Sequence, residues 1–291
     1  MSSFLAPAKI NLALHVTGRR EDGYHLIETL AVFTRFGDRV TVASSERDEF
    51  RVIGPYRDGV PLDSGNLVLK ARDAFRTAFQ GGTSLSIILE KNLPPSSGVG
   101  GGSSDAAAAL RALMRHHDAD ISQERLLQIA LPLGADLPMC LAARPLVARG
   151  IGEKIEILPD FPSLPMVLVN PGVAVSTPAV FRALLKRDNA PLPSQPPRDP
   201  EQLFAWLKQT RNDLEAPACS LAPMISDLLR ALEDAGAWFA RMSGSGATCF
   251  GLFGTMDEAQ NGARQIRERH PRWFAAATRS MASAEEFDDG N

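Results

Sequence analysis

The stretch on which the reading of this chain turns is "LPPSSGVGGGSSDAAAAL", residues 93–110. Prolines and serines lead to Gly98. Three consecutive glycines follow, Gly100 to Gly102, then Ser103, Ser104 and an alanine-rich run that continues through "RALMRHH". Alanine is the best helix former, so a helix is predicted to open beside the glycines. A glycine run lets backbone approach a ligand closely and turn its N–H groups inward. The first N–H groups of the helix and its dipole favour an anion, typically phosphate. Ser103 and Ser104 add hydroxyl donors at that start, or cap it. The plainer alternative is a flexible turn whose serine is only a cap.

Two familiar phosphate loops are excluded. A P-loop requires Gly-Lys-Ser/Thr, and no lysine of this chain follows a glycine. A dinucleotide fingerprint requires G-x-G-x-x-G in a tight strand-to-helix turn. Gly98 and Gly100 fit it, but Ser103 takes the third position and the preceding strand-like run ends near Asn92.

The bulk properties suit a soluble globular protein with room for two domains. The chain has 291 residues, 44% hydrophobic and 22% charged, with a net charge of -3. A chain this long buries roughly three-quarters of its unfolded surface and needs no staple. Without a basic excess, nucleic acid is not favoured as a partner. Cys140, Cys219 and Cys249 are odd in number and scattered, which suits reduced thiols rather than a disulfide framework or zinc site. The opening residues do not read as a signal peptide and no run reaches membrane-span length. A cytoplasmic protein without a membrane or nucleic-acid partner is expected, as monomer or homodimer.

Along the chain, "AKINLALHVTG" (8–18) alternates and predicts a strand with one buried face: Ile10, Leu12, Leu14 and Val16 inward, Lys9, Asn11, Ala13 and His15 outward. "RREDGYH" (19–25) reads as a polar turn. Short β-like runs follow near 39–54. "NLVLKARDAFRTAF" (66–79) has helical spacing, with Leu67, Ala71, Ala74, Phe75 and Ala78 on one side. Ser122 is a predicted helix N-cap. The character shifts near 155, which places domains at 1–155 and 156–291. The proline-rich 189–202 reads as an exposed loop, and the acidic tail as frayed. Helix runs and strand runs do not alternate strictly, which argues for α+β.

"LPPSSGVGGGSSDAAAAL" resembles the P-x-x-x-G-x-G-x-S-S phosphate loop of the GHMP kinases. "PAKINLALHVTGRREDGYH" (7–25) is similar to their first block, and "MSGSGATCFGLF" (242–253) to their third. Three blocks in order over nearly the whole chain make a specific resemblance. It narrows, through "LPLGADLPMCL", "ARGIGEKIE", "NPGVAVSTPAVF" and "RNDLE", to members that phosphorylate a cytidine diphosphate-linked alcohol. Other small-alcohol members, such as homoserine or mevalonate kinases, are the alternative. The chain departs from the pattern at Pro95, Ser96 and Ser97, where members commonly carry small residues such as Gly or Ala.

The resemblance implies a two-domain α+β fold with the active site in the cleft between domains, and ATP with Mg²⁺ held mainly through the nucleotide, with Ser104 as a further candidate ligand. It implies that Pro94, Pro95, Ser96, Ser97, Gly98, Val99, Gly100, Gly101, Gly102, Ser103 and Ser104 form the ATP loop. Asp136 is implied as acceptor of the substrate hydroxyl's proton, although "LGADLPM" also suits a helix N-cap ahead of Pro138. Lys9 is implied beside Asp136, a cation stabilising the reacting oxygens; alone, it reads as a snorkelling lysine. Asn11, Thr177 and Gly244 are implied at the substrate. Tyr24 and Phe181 would stack on opposite faces of the cytosine, with His25 bonding its edge. His116 and His117, at the far end of the glycine-loop helix, carry no catalytic expectation.

Overall fold

The computed structural model describes residues 1–79, 83–95 and 97–282. Ser96 and the tail 283–291 lie outside them. Strand β1 (Ser2–Arg19) turns at Gly23, whose φ is 92°, into strand β2 (His25–Ser44), and the two pair antiparallel from end to end. The predicted strand at 8–18 is therefore the later part of a longer one. It is also buried on both faces, Lys9, Asn11 and His15 included. The reason is its place. Helix α2 (Gly101–His116) packs against it, while Ile10 and Leu12 pack with Met166, Leu168 and Phe250 of the second sheet. Register shifts at Pro7/Lys9, Asn11/Ala13 and Val16/Gly18 also break strict alternation.

The first sheet has the order β3 (Glu49–Ile53), β4 (Leu85–Glu90), β2, β5 (Leu146–Gly150), β6 (Lys154–Ile157), with β1 lying along β2. Helices α1 (Leu67–Phe79), α3 (Gln123–Ala130) and α4 (Leu137–Ala142) join α2 on this lobe. The buried stripe of α1 centres on Val68, Ala71 and Phe75 and packs on Ala109, Leu113, Ile87 and Leu89. Leu67, Ala74 and Ala78 are only partly buried beside it, and Leu67 lies on the cleft wall. Ser122 caps α3 as predicted, its Oγ accepting from Arg125 N–H at 3.3 Å.

The second sheet is antiparallel, in the order β10 (Phe274–Arg279), β7 (Pro165–Asn170), β9 (Cys249–Leu252), β8 (Phe239–Met242). Helices α5 (Thr177–Ala183), α6 (Pro200–Lys208), α7 (Glu215–Leu221), α8 (Met224–Asp234) and α9 (Met256–Arg269) accompany it. The change of sheet falls between Ile157 and Pro165, so residues 156 and 157 belong to β6 and the first sheet.

The segment 189–202 is not simply an exposed loop. Asp199 caps α6, accepting from Gln202 N–H at 2.9 Å, and Pro200 occupies its first turn, so the last three residues are helical. The remainder is a strap tied to β1 and β2. Ala190 O accepts from His15 Nδ1 at 3.0 Å, and Leu192 N–H donates to Glu28 Oε2 at 3.0 Å. His15 Nε2 in turn accepts from Arg211 N–H at 3.1 Å. Burial, aided by the nearby Arg211 charge, lowers the His15 pKa and favours this neutral tautomer.

Candidate active site

The lobes enclose a cavity of about 1350 Å³ lined from both sides. Gly100 is the N-cap residue of α2, in the left-handed region at φ 66°, and no side chain caps the helix. The first bond onto α2 runs from Ser104 N–H to Gly100 O at 2.8 Å. The N–H groups of Gly101, Gly102 and Ser103 therefore have no intrahelical partner, and all three residues line the cavity. Free N–H donors at a helix start facing a cavity are the geometry that an anion cradle requires.

Its membership differs from the sequence expectation in two places. Ser104 is fully buried and donates its hydroxyl to Pro7 O at 2.7 Å, so it neither caps α2 nor faces the cavity. Val99 packs in the core, and its carbonyl accepts from Lys9 N–H at 2.9 Å. Pro94, Pro95, Ser97 and Gly98 are on the cavity wall.

Gly98 and the second glycine loop, 243–246, meet backbone to backbone. A Cβ on Gly98 would stand 2.3 Å from Gly246 O, and one on Gly244 would stand 2.8 Å from Gly98 O. Thr248 N–H donates to Ser97 O at 3.0 Å. These glycines are needed to let the two lobes close on each other, whatever else they bind. Gly98→Ala, which also adds a Cβ at φ 77°, is expected to destabilise the fold by about 2–3 kcal/mol, read as a lowered Tm. An unchanged Tm would refute the close approach.

Lys9 lies along Gly100, its Cβ and Cε 3.4 Å from where a glycine Cβ would be. Its Nζ is 2.7 Å from Asp136 Oδ2; the Lys9 side chain is 6% exposed and that of Asp136 40%. Asp136 is the N-cap residue of α4, but its side chain makes no capping bond. The carboxylate faces Lys9 and the cavity, not the helix. Asn11 Nδ2 donates to Thr29 Oγ1 at 2.8 Å, and Thr29 Oγ1 donates to Ala13 O at 2.6 Å. This fixes the amide and leaves Asn11 Oδ1 buried and unpartnered on the wall. Gly244 stands next to it.

From Gly244 the wall continues through Ser245, whose Oγ is 2.7 Å from Thr177 Oγ1. Thr177 opens α5, which carries Phe181. Phe181 stacks on His25, centroids 4.6 Å apart and planes 24° from parallel. Tyr24 is exposed on the same wall. One face of Phe181 is thus covered by His25, whose Nε2 is buried without a partner. Burial first, then the charges of Arg19 and Arg187, lower the His25 pKa, so the ring is neutral near pH 7.

Sequence reasoning missed Lys91, Asp38 and Asp105. Lys91 Nζ, buried beneath the start of α2, bonds to Asp38 Oδ2 and to Asp105 Oδ2, the latter at 2.9 Å. Asp38 Oδ1 accepts from Asn92 N–H at 2.6 Å and Leu93 N–H at 2.8 Å, which anchors the entry to the glycine loop. Burial raises the Asp105 pKa well above the carboxylate range despite Lys91. Burial opposes the Lys91 charge, but the two carboxylates outweigh it. These three residues are apart in sequence with no motif spacing, so only Lys91, a charged residue in the apolar surroundings of 85–93, offered a hint. Among the described residues no group of three or more His, Cys, Asp or Glu could hold a metal ion, and no helix is long and apolar enough to cross a membrane.

Residues 66–144 match the family described as GHMP kinases N terminal domain, and residues 182–272 match GHMP kinases C terminal. The chain is 61% identical over 284 residues, 97% of its length and 96% of the relative's, to a 4-diphosphocytidyl-2-C-methyl-D-erythritol kinase of Mesorhizobium japonicum. A crystal structure of 4-(cytidine 5'-diphospho)-2C-methyl-D-erythritol kinase superposes with a TM-score of 0.80 at 35% identity, covering 96% of this chain and 99% of that one. A homoserine kinase from Cytophaga hutchinsonii superposes with a TM-score of 0.72 at 19% identity, covering 97% and 94%, which speaks to the fold alone. The chain belongs to the GHMP kinases, and within them to the family whose members bear the name 4-diphosphocytidyl-2-C-methyl-D-erythritol kinase.

Proposed function

We propose that this chain transfers the γ-phosphate of ATP to the 2-hydroxyl of 4-diphosphocytidyl-2-C-methyl-D-erythritol, in the non-mevalonate route to isoprenoids. The observation that carries the reading is the Lys9–Asp136 pair, 2.7 Å apart and released from helix capping, beside the α2 N-terminus. The reading also rests on the named relatives at 61% and 35% identity.

In this reading the free N–H groups of Gly101, Gly102 and Ser103 take phosphate oxygens of ATP. Asn11 Oδ1, already oriented by Thr29, accepts a hydrogen bond from a substrate hydroxyl. As the oxygen of the reacting 2-hydroxyl, a different hydroxyl from the one held by Asn11, bonds to the γ-phosphorus, the bond to the bridging oxygen of ADP breaks and the 2-hydroxyl proton passes to Asp136. Lys9 offsets charge developing on the reacting oxygens. Mg²⁺, arriving with ATP, would neutralise phosphate charge, and Ser103 and Asp105 are the cavity residues nearest the cradle that offer oxygen.

The test is purified protein with ATP and Mg²⁺, offered the cytidyl alcohol beside homoserine and mevalonate. Selective phosphorylation of the cytidyl alcohol supports the proposal. Preference for either competitor overturns it and leaves the kinase class standing. Tyr24, exposed on the wall, is proposed as the base-stacking residue. Tyr24→Ala is expected to raise KM for the cytidyl substrate roughly 5- to 150-fold, from about 1–3 kcal/mol of stacking, with little change in KM for ATP. Equal effects on both substrates would remove that role.

A further inference from the structure

Two lysines line the cleft, and both are already answered by carboxylates: Lys9 by Asp136, Lys91 by Asp38 and Asp105. Arg187 lines the same cavity and forms no ion pair among the described residues. Its Nε–H is buried with no acceptor. A desolvated guanidinium donor without a partner is costly unless a ligand supplies one. Arg19 stands on the same wall, with its Nε donating to Gly23 O at 3.2 Å and, among the described residues, no carboxylate paired to it. Both arginines are near enough to the His25 ring to act on it electrostatically. Arg182, the cavity's remaining arginine, is exposed and is not among the charges acting on that ring.

The contacts along the wall decide which phosphates these cations meet. The α2 cradle touches Lys9 at Gly100. Arg187 and Arg19 instead belong with His25, which stacks on Phe181 of α5. In the proposed reading that is the side of the phosphate acceptor, away from the α2 cradle that takes ATP. A cytosine base is neutral and needs no cation, whereas a diphosphate presents several charged oxygens, and the planar guanidinium fork matches phosphate geometry.

We propose that Arg187, supported by Arg19, binds the diphosphate of the nucleoside-linked substrate and so selects an acceptor that carries one. This rests on the function proposed above. Arg187 acts on substrate binding, while the neutral His25 ring beside it keeps one donor and one acceptor for the base edge.

The experiment is calorimetric titration of the full chain with cytidine and with cytidine diphosphate. The protein is held saturated with a non-hydrolysable ATP analogue and Mg²⁺, so that the ATP cradle is occupied. The wild type is expected to bind the diphosphate more tightly than the nucleoside. Arg187→Ala should shrink that ratio roughly 10- to 100-fold while cytidine affinity holds. Arg187→Lys should recover part of it, a point charge without the fork. Arg19→Ala should act in the same direction, less strongly. A ratio indifferent to Arg187, or an equal loss for both ligands, overturns the proposal, since a merely structural role would weaken both alike. Failure of the wild type to phosphorylate the cytidyl alcohol would instead sink the proposed function, and the ratio would still judge Arg187.

Discussion

Asp136→Asn is expected to lower kcat by about 10³-fold or more while the protein stays folded and still binds ATP. The size follows from what general-base catalysis contributes, about 10²- to 10⁴-fold, together with loss of the ionic contact that orders Lys9. The amide keeps the shape of the side chain but cannot take a proton. Folding should be nearly indifferent. The carboxylate is 40% exposed, so its ion pair with Lys9 is screened by solvent, and it makes no capping bond. The measurement is kcat for the cytidyl alcohol with a thermal melt and an ATP titration on the same sample. A kcat near wild type would remove Asp136 as the proton acceptor. A melt lowered by many degrees would mean that Asp136 holds the fold, contrary to its geometry.

The largest effect on stability is expected at Lys91. Replacing it with methionine leaves Asp38 and Asp105 buried together without a cation. Breaking a buried charge pair by removing one partner costs about 3–5 kcal/mol, which for a chain of this size is a Tm lower by roughly 10 °C. The same change should raise KM for ATP, because Asp38 holds Asn92 and Leu93 at the entry to the glycine loop. Adding Asp105→Asn to Lys91→Met leaves Asp38 as the one carboxyl without its cation, beside an amide that can donate to it, and should recover much of the loss. If Lys91→Met alone left the melt where it was, the three groups would not form the buried cluster described.

Much of the cleft is legible in the order of the amino acids alone. The glycines at 98 and 100–102, followed by an alanine run, specify a loop and a helix N-terminus through local backbone preference. Lys9 and Asn11 stand on the cavity wall as expected, and Asp136 stands beside Lys9. A local signal also placed the Ser122 cap. What failed did so for non-local reasons. The outward face of β1 is buried because the start of α2 lies along Lys9 and the strap ties down His15, and a period of two cannot reveal what folds over a strand. The prolines of 189–202 marked a break correctly, but gave no sign that His15 and Glu28, over 160 positions earlier, would tie the segment down.

The sequence by itself determined the class of fold, the glycine loop with its helix N-terminus and the identities of the residues implied at the reacting groups, because those depend on short-range backbone chemistry and on motifs contiguous in the chain. Only the tertiary structure decided that Ser104 serves Pro7 and not a phosphate, that Gly98 is glycine because Gly246 O would clash with any Cβ, and that His25 rests on Phe181. It alone joined Lys91 to Asp38 and Asp105, and left the Arg187 Nε–H buried without an acceptor. Desolvation is the physical reason: whether a charge or a hydroxyl is paired, buried or free is a property of what folds around it, and the neighbours that settle it come from distant parts of the chain.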